Sequence, residues 1–176
     1  FSQKFIIIIQ HTVTTEVEKV PEHIKTTLEA VKDVEVPALL LYPNNDAGTS
    51  AIIKAIENTD IKRMRTLSIE EYGNLLRHAG ALIGNSSSGI HETVSFHVPT
   101  VNIGDRQAGR SRPENVIDVE NNKEDIKKAM HTALYDKEFL EKVSTCTNPY
   151  GDGKSSERIV KVLKEIPLGK ELIKKN

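Results

Sequence analysis

Short apolar runs alternate with amphipathic stretches along this chain, and that alternation limits the fold more than any other feature. The expected strands are Phe5–Gln10, Ala38–Tyr42, Lys62–Thr66, Ala81–Gly84, Thr100–Ile103 and Val116–Val119. They are rich in Ile, Leu and Val, and several lack polar alternation, which suits strands buried on both faces of a parallel sheet. Between them, Ile24, Leu28 and Val31 recur at helical spacing, as do Ala51, Ile52, Ala55 and Ile56, and then Ile69, Tyr72, Leu75 and Leu76. Ser68 with Glu71 three residues on predicts a capping box at the start of that third helix. A further helix is expected over Lys123–Tyr135, burying Ile126, Met130 and Leu134. A last one should start near Asp152 and bury Ile159, Val162 and Leu163. Pro167-Leu168-Gly169 ends it, and Lys170–Asn176 reads as a polar tail. Strand-helix-strand order of this kind predicts an α/β, Rossmann-like three-layer domain with a mostly parallel sheet.

At 176 residues the chain is long enough for one domain with its own core. With 24 Lys and Arg against 25 Asp and Glu, the net charge of -1 argues against a partner recognised by bulk charge, either nucleic acid or an anionic membrane. No apolar run approaches the ~20 residues that span a bilayer. The single cysteine, Cys146, excludes an internal disulfide and a multi-cysteine metal site. His23, His78, His91, His97 and His131 form no metal-ligand spacing. These features point to the cytoplasm and to no metal. The chain opens on Phe1 and enters an apolar run almost at once, so it is expected to be a piece of a longer protein.

In parallel sheets, ligands gather beyond the carboxyl ends of the strands. Gly84-Asn85-Ser86-Ser87-Ser88-Gly89 follows one strand and is expected to open a helix through Ile90, His91, Glu92 and Thr93. Such a loop offers unpaired backbone N–H groups and small hydroxyls, which suit a phosphate or diphosphate; it can also be a plain strand-to-helix turn with serine caps. It matches neither the Walker loop nor the dinucleotide fingerprint. Glu92 suits sugar hydroxyls, or is simply a first-turn acid favoured by the helix dipole. Gly104 to Pro113 carries Arg106, Arg110 and Arg112, which offer forked donors to phosphate or form a solvated, ion-paired loop. His11, at the end of the first strand, can donate to phosphate or move a proton, or merely close the strand. Pro43-Asn44-Asn45-Asp46-Ala47-Gly48 caps a helix or meets a ligand. Asn148-Pro149-Tyr150-Gly151-Asp152-Gly153 reads first as a structural turn and second as a phosphate contact.

Taken in order, the segments His11–Glu16, Pro43–Gly48, Gly84–Glu92, Gly104–Arg110 and Asn148–Gly153 resemble the carboxyl-terminal half of the UDP-N-acetylglucosamine 2-epimerases, most closely the hydrolysing branch of sialic acid synthesis. The resemblance runs from about His11 to Ile166. It implies one domain of a GT-B-like two-domain enzyme, over residues 1–166, with the amino-terminal domain and its acid/base carboxylates absent from this chain. It also implies UDP or UDP-N-acetylglucosamine as ligand, no cofactor, and a homo-oligomer in the full-length form. By the same resemblance, Ser86 and Ser87, with the loop amides through Ser88 and Gly89, match diphosphate contacts. Glu92 matches a ribose-binding carboxylate, and Arg106 a phosphate partner. His11 matches a histidine beside the diphosphate, on the catalytic side. The uracil is expected along Thr66–Ser68, around Leu67. One departure stands out: Thr12 occupies the place of a proline usual in the family, which loosens the expected placement of His11.

The resemblance further implies elimination of UDP across C1–C2 of the sugar, then addition of water with inverted configuration at C2. The alternatives are a non-hydrolysing epimerase, which returns UDP to the glucal, and a non-catalytic nucleotide-sugar binding module.

Overall fold

The computed structural model describes residues 4–65, 67–167 and 169. Six strands form one sheet: β1 (Ile6–Ile9), β2 (Ala38–Leu41), β3 (Lys62–Met64), β4 (Ala81–Gly84), β5 (Thr100–Ile103) and β6 (Val116–Val119). All pair in parallel, in the order β3-β2-β1-β4-β5-β6. Every expected strand is present. β1, β4 and β5 are buried throughout, as central parallel strands covered on both faces are, and in β5 this includes the polar Thr100 and Asn102. β3 departs from that expectation. Its Lys-Arg-Met sequence is exposed, because it is an edge strand, where charge is tolerated and discourages further pairing.

The helices are α1 (Val20–Asp33), α2 (Thr49–Glu57), α3 (Ile69–His78), α4 (Ser88–His91), α5 (Lys123–Tyr135), α6 (Lys137–Thr145) and α7 (Ser155–Glu165). The larger core lies on the face covered by α1, α2 and α5, where Ile6 and Ile8 meet Ile24, Ile52 and Met130. Ile7, Ile9 and Leu82 point the other way, toward Leu76 of α3. Successive isoleucines of β1 thus serve opposite faces, making the domain a three-layer sandwich.

Three helix expectations need correction. α3 begins with the expected box: Glu71 N–H donates to Ser68 Oγ at 3.1 Å and Ser68 N–H to Glu71 Oε2 at 2.7 Å. Its Ile69, however, is 91% exposed, since the first turn projects beyond the sheet. α6 was not anticipated; Asp136 ends α5 and its side chain accepts from Phe139 N–H to start α6, so no glycine or proline marks the boundary. α7 starts at Ser155 rather than near Asp152, and Ile159, Val162 and Leu163 are 57%, 57% and 63% exposed instead of buried. Its amphipathic pattern is real, but no described element covers the apolar face. Thr66, Leu168 and the tail 170–176 lie outside the described residues. Among the described residues no helix is long and apolar enough to cross a membrane.

Candidate functional site

The strand order reverses between β1 and β4, which are adjacent in space but leave the sheet toward opposite sides. A crevice forms at such a switch point. Gly84 makes the close approach possible: its φ is +133°, and a Cβ there would lie 2.0 Å from the Ile9 carbonyl oxygen. Asn85 follows. Its N–H donates to Ile9 C=O at 3.2 Å, and its side chain reaches His11. Asn85 Oδ1 accepts from His11 N–H at 2.7 Å, and Asn85 Nδ2 donates to His11 C=O at 2.9 Å. The Asn85 carbonyl accepts from Gln107 Nε2 at 2.7 Å and from Arg106 Nη1 at 3.2 Å. One residue therefore ties together the loops that follow β1, β4 and β5.

The serine run continues from this anchor. Among the described residues, the N–H groups of Ser86 and Ser87 meet no acceptor, while Ser88 N–H donates to Ser86 Oγ at 3.3 Å. Ser88 Oγ is hydrogen-bonded to the Tyr72 hydroxyl. The helix expected to run on through Thr93 is a single turn, α4, followed by a 3-10 turn over Thr93–Phe96. Thr93 Oγ1 donates to Gly89 C=O at 2.9 Å and pairs with Thr100 Oγ1 at 2.9 Å, drawing the chain tight onto β5. Gly89 itself is closely packed there: a Cβ would meet Thr100 Cγ2 at 2.6 Å. So short a helix contributes free amides rather than a long dipole.

These residues line an open cleft of about 510 Å³. Ser86, Ser87, Ser88 and Glu92 form one side, Leu67, Ser68 and Tyr72 the other, and Arg65 stands at the rim over the Tyr42 ring, 4.6 Å from its centroid. The three serines thus border the cleft, although Ser86 and Ser88 are themselves buried, 7% and 9% exposed. Of the segment expected to meet the uracil, the Ser68 N–H is committed to Glu71, and Thr66 lies outside the described residues. Burial, and secondarily the Glu92 charge, push the Tyr72 phenol up to about 12, so it is neutral at ordinary pH.

His11 lines neither this cleft nor a second one of about 470 Å³, which is lined by Thr12, Thr14, Thr15, Asp46, Asp105 and Arg106. Asn44 N–H donates to His11 Nδ1 at 3.2 Å, so a neutral ring carries its proton on Nε2. Burial, and then the Arg106 charge, hold the His11 pKa below its usual value, with Asp46 partly opposing. Arg106 Nη2 lies 3.8 Å from Asp46 Oδ2, a loose pairing that leaves other donors of the guanidinium available. Thr12, in the place of the family's usual proline, is buried, and among the described residues its hydroxyl has no partner.

His11, Ser86, Ser87, Ser88, Gly89, Glu92, Arg106 and Leu67 thus share one sheet edge. The other two loop arginines do not join them. Arg110 Nη1 donates to His91 Nε2 at 2.9 Å. Arg112 pairs with Asp118 at 2.9 Å and donates to Gln107 C=O at 2.7 Å. Asp152 holds Arg158 through two contacts of 2.8 Å and takes the Lys154 N–H, which gives the Asn148–Gly153 turn its structural reading. Asn85, Gln107, Tyr72 and Asn44 carry site contacts that were not singled out from the sequence. Asn85, Asn44 and Gln107 lay inside noted motifs, but their partners are 74, 33 and 22 residues distant.

A curated relative from Legionella pneumophila, "UDP-N,N'-diacetylbacillosamine 2-epimerase (hydrolyzing)", is 34% identical over 98% of this chain and 46% of its own length. One from Campylobacter jejuni, "GDP/UDP-N,N'-diacetylbacillosamine 2-epimerase (hydrolyzing)", is 34% identical over 78% of this chain and 37% of its own. The chain spans about half the length of the first of these or less of the second. In fold it is similar to the UDP-GlcNAc 2-epimerase of Neisseria meningitidis bound to UDP-GlcNAc, with a TM-score of 0.74 at 18% identity, over 93% of this chain and 45% of that one. The six-stranded parallel domain matches one half of such GT-B-like enzymes. The family profile described as UDP-N-acetylglucosamine 2-epimerase matches residues 1–164, and with it this chain belongs to the UDP-N-acetylglucosamine 2-epimerase family.

Proposed function

We propose that this chain is the UDP-binding half of a hydrolysing UDP-N-acetylglucosamine 2-epimerase. One observation carries the reading: a cleft at the β1/β4 switch point, lined by Ser86, Ser87 and Ser88, in which among the described residues the amides of Ser86 and Ser87 meet no acceptor. Fixed donors without partners suit an anion, and two consecutive amides suit a diphosphate. In this reading Ser86 and Ser87, with the loop through Ser88 and Gly89, hold the diphosphate. Glu92 accepts from the ribose hydroxyls, and Leu67 lies against the uracil. Arg106 and His11 address the β-phosphate from the side of the second cleft.

In the whole enzyme, a base outside this chain takes the C2 proton as the C1–O bond breaks. UDP departs and a 2-acetamidoglucal remains. Water then adds, with its oxygen at C1 and its proton at C2 in inverted configuration, giving N-acetylmannosamine and UDP. This domain's task is the charge that builds on the departing phosphate. Donors fixed before the reaction lower that barrier, and losing one typically costs about a hundred- to a thousand-fold in rate. The hydrolysing outcome is supported by the names of the Legionella and Campylobacter relatives, which also make a diacetylated amino sugar an alternative substrate.

Titration of the purified chain with uridine, UMP and UDP tests the binding role. Affinity should rise with each phosphate, and the Ser86→Ala/Ser87→Ala pair should weaken UDP more than uridine. Equal affinity for all three ligands would sink the assignment. Incubating the full-length protein with UDP-N-acetylglucosamine then separates the chemistries. Free UDP with N-acetylmannosamine is expected; UDP-N-acetylmannosamine would make it the non-hydrolysing epimerase, and binding without turnover a non-catalytic module.

A further inference from the structure

The Ser88 hydroxyl differs from its two neighbours in having a second hydroxyl, that of Tyr72, bonded to it from another element. Tyr72 sits on α3, 16 residues away in sequence, and both side chains border the cleft. Between two hydroxyls only one proton can lie in the shared bond, so the direction of that bond decides what Ser88 shows a ligand. If Ser88 donates to the phenol, it presents lone pairs to the cleft and repels an anion. If the phenol donates, the Ser88 O–H is free to point at the ligand.

Two features favour donation by the phenol. A phenol is a stronger acid than an aliphatic alcohol, hence the better donor of the two. Burial keeps Tyr72 protonated, and the neighbouring Glu92 charge acts in the same direction, against the lowering effect of the Ser88 hydrogen bond. Separately, the Ser88 N–H donates to Ser86 Oγ at 3.3 Å. With the phenol donating, the Ser88 O–H is left free for the cleft.

We infer that Tyr72 is a positioning residue, whose phenol donates to Ser88 Oγ and so fixes the Ser88 hydroxyl as a donor to a ligand diphosphate. The inference rests on the UDP-binding reading above and adds to it a reason why a tyrosine, rather than a phenylalanine of nearly the same shape, occupies this position. Tyr72 touches the ligand's partner, not the reacting atoms.

The test is a double-mutant cycle on the purified chain, with UDP and uridine affinities measured by calorimetry. Tyr72→Phe keeps the ring and removes only the hydroxyl. It should weaken UDP about threefold to tenfold, the range of one hydrogen bond. Uridine affinity should stay within about twofold, and in a Ser88→Ala background the same Tyr72→Phe step should change UDP affinity by less than about twofold. An equal loss for uridine and UDP, an unchanged UDP affinity, or the same loss with Ser88 already removed would overturn the inference. Should Tyr72→Phe not fold, Ser88→Ala alone decides: selective weakening of UDP supports it and equal weakening overturns it. Wild-type protein that binds uridine and UDP equally would instead sink the UDP-binding reading and this inference with it.

Discussion

The Asn85 side chain holds the main chain of His11 at both ends, accepting from its N–H at 2.7 Å and donating to its C=O at 2.9 Å. This pairing does for one loop what a further rung of sheet would do, at the level where β1 and β4 part. Asn85 is 4% exposed, so water cannot substitute for it. Asn85→Ala should lower the unfolding free energy by about 2–3 kcal/mol, because two polar groups of His11 lose their partner at once. Urea denaturation measures this. A loss below about 0.5 kcal/mol, the range of an ordinary surface change, would mean that the two strand ends hold each other without it.

Gly84→Ala probes the same junction from the backbone. The added methyl would sit 2.0 Å from the Ile9 carbonyl oxygen, a rigid main-chain atom, and φ at Gly84 is +133°. Neither the clash nor the dihedral can be relieved by turning a side chain. The variant should lose more than about 3 kcal/mol or fail to fold. A stable Gly84→Ala protein with unchanged UDP binding would show that β4 ends elsewhere.

Much of this fold is legible in the sequence, and the reasons are local. The isoleucine run of β1 and the Ala-Leu-Ile-Gly of β4 can hardly be anything other than buried strands, and Ser68 with Glu71 announces α3 through contacts three residues apart. α6 was hidden because Asp136 serves as the end of one helix and the cap of the next. The apolar stripe of α7 was misread for a different reason: periodicity shows that a helix has an apolar face, but not where its cover comes from. In the site, the serine run and the acidic Glu92 announce themselves, since loop and helix start are adjacent in the chain. The Asn85–His11 clamp and the Tyr72–Ser88 bond do not. Each joins residues from separate strands or helices, and only the sheet order brings them together.

The lowered pKa of His11 makes a prediction about pH. Burial and the Arg106 charge disfavour the protonated ring in the folded state, so the unfolded chain takes up a proton more readily. His11 therefore sets no penalty above its ordinary value of 6.5, and stability falls as pH drops from there through the lower, folded value. Below both values the loss is complete. Denaturation midpoints measured from pH 8 down to about pH 5 should show this fall, and His11→Gln, which cannot titrate, should flatten it. An identical slope in the variant would assign the acid sensitivity to other groups.

The apolar face of α7 separates the stability of this chain from the pattern of its sequence. Ile159 and Leu163 lie one turn apart, 57% and 63% exposed, outside the buried core that α1, α2 and α5 build over the sheet. A buried isoleucine or leucine cut down to a small residue costs about 2–5 kcal/mol, whereas a side chain already in water has little transfer energy to lose. Ile159→Ser and Leu163→Ser should each change the unfolding free energy of this chain by less than about 0.5 kcal/mol. Ile126→Ser on α5, fully buried, should cost several times more. Calorimetric melting of the three variants side by side makes the comparison. A loss at Ile159 equal to that at Ile126 would mean that α7 folds back onto the domain in solution, and the exposed face described above would be wrong.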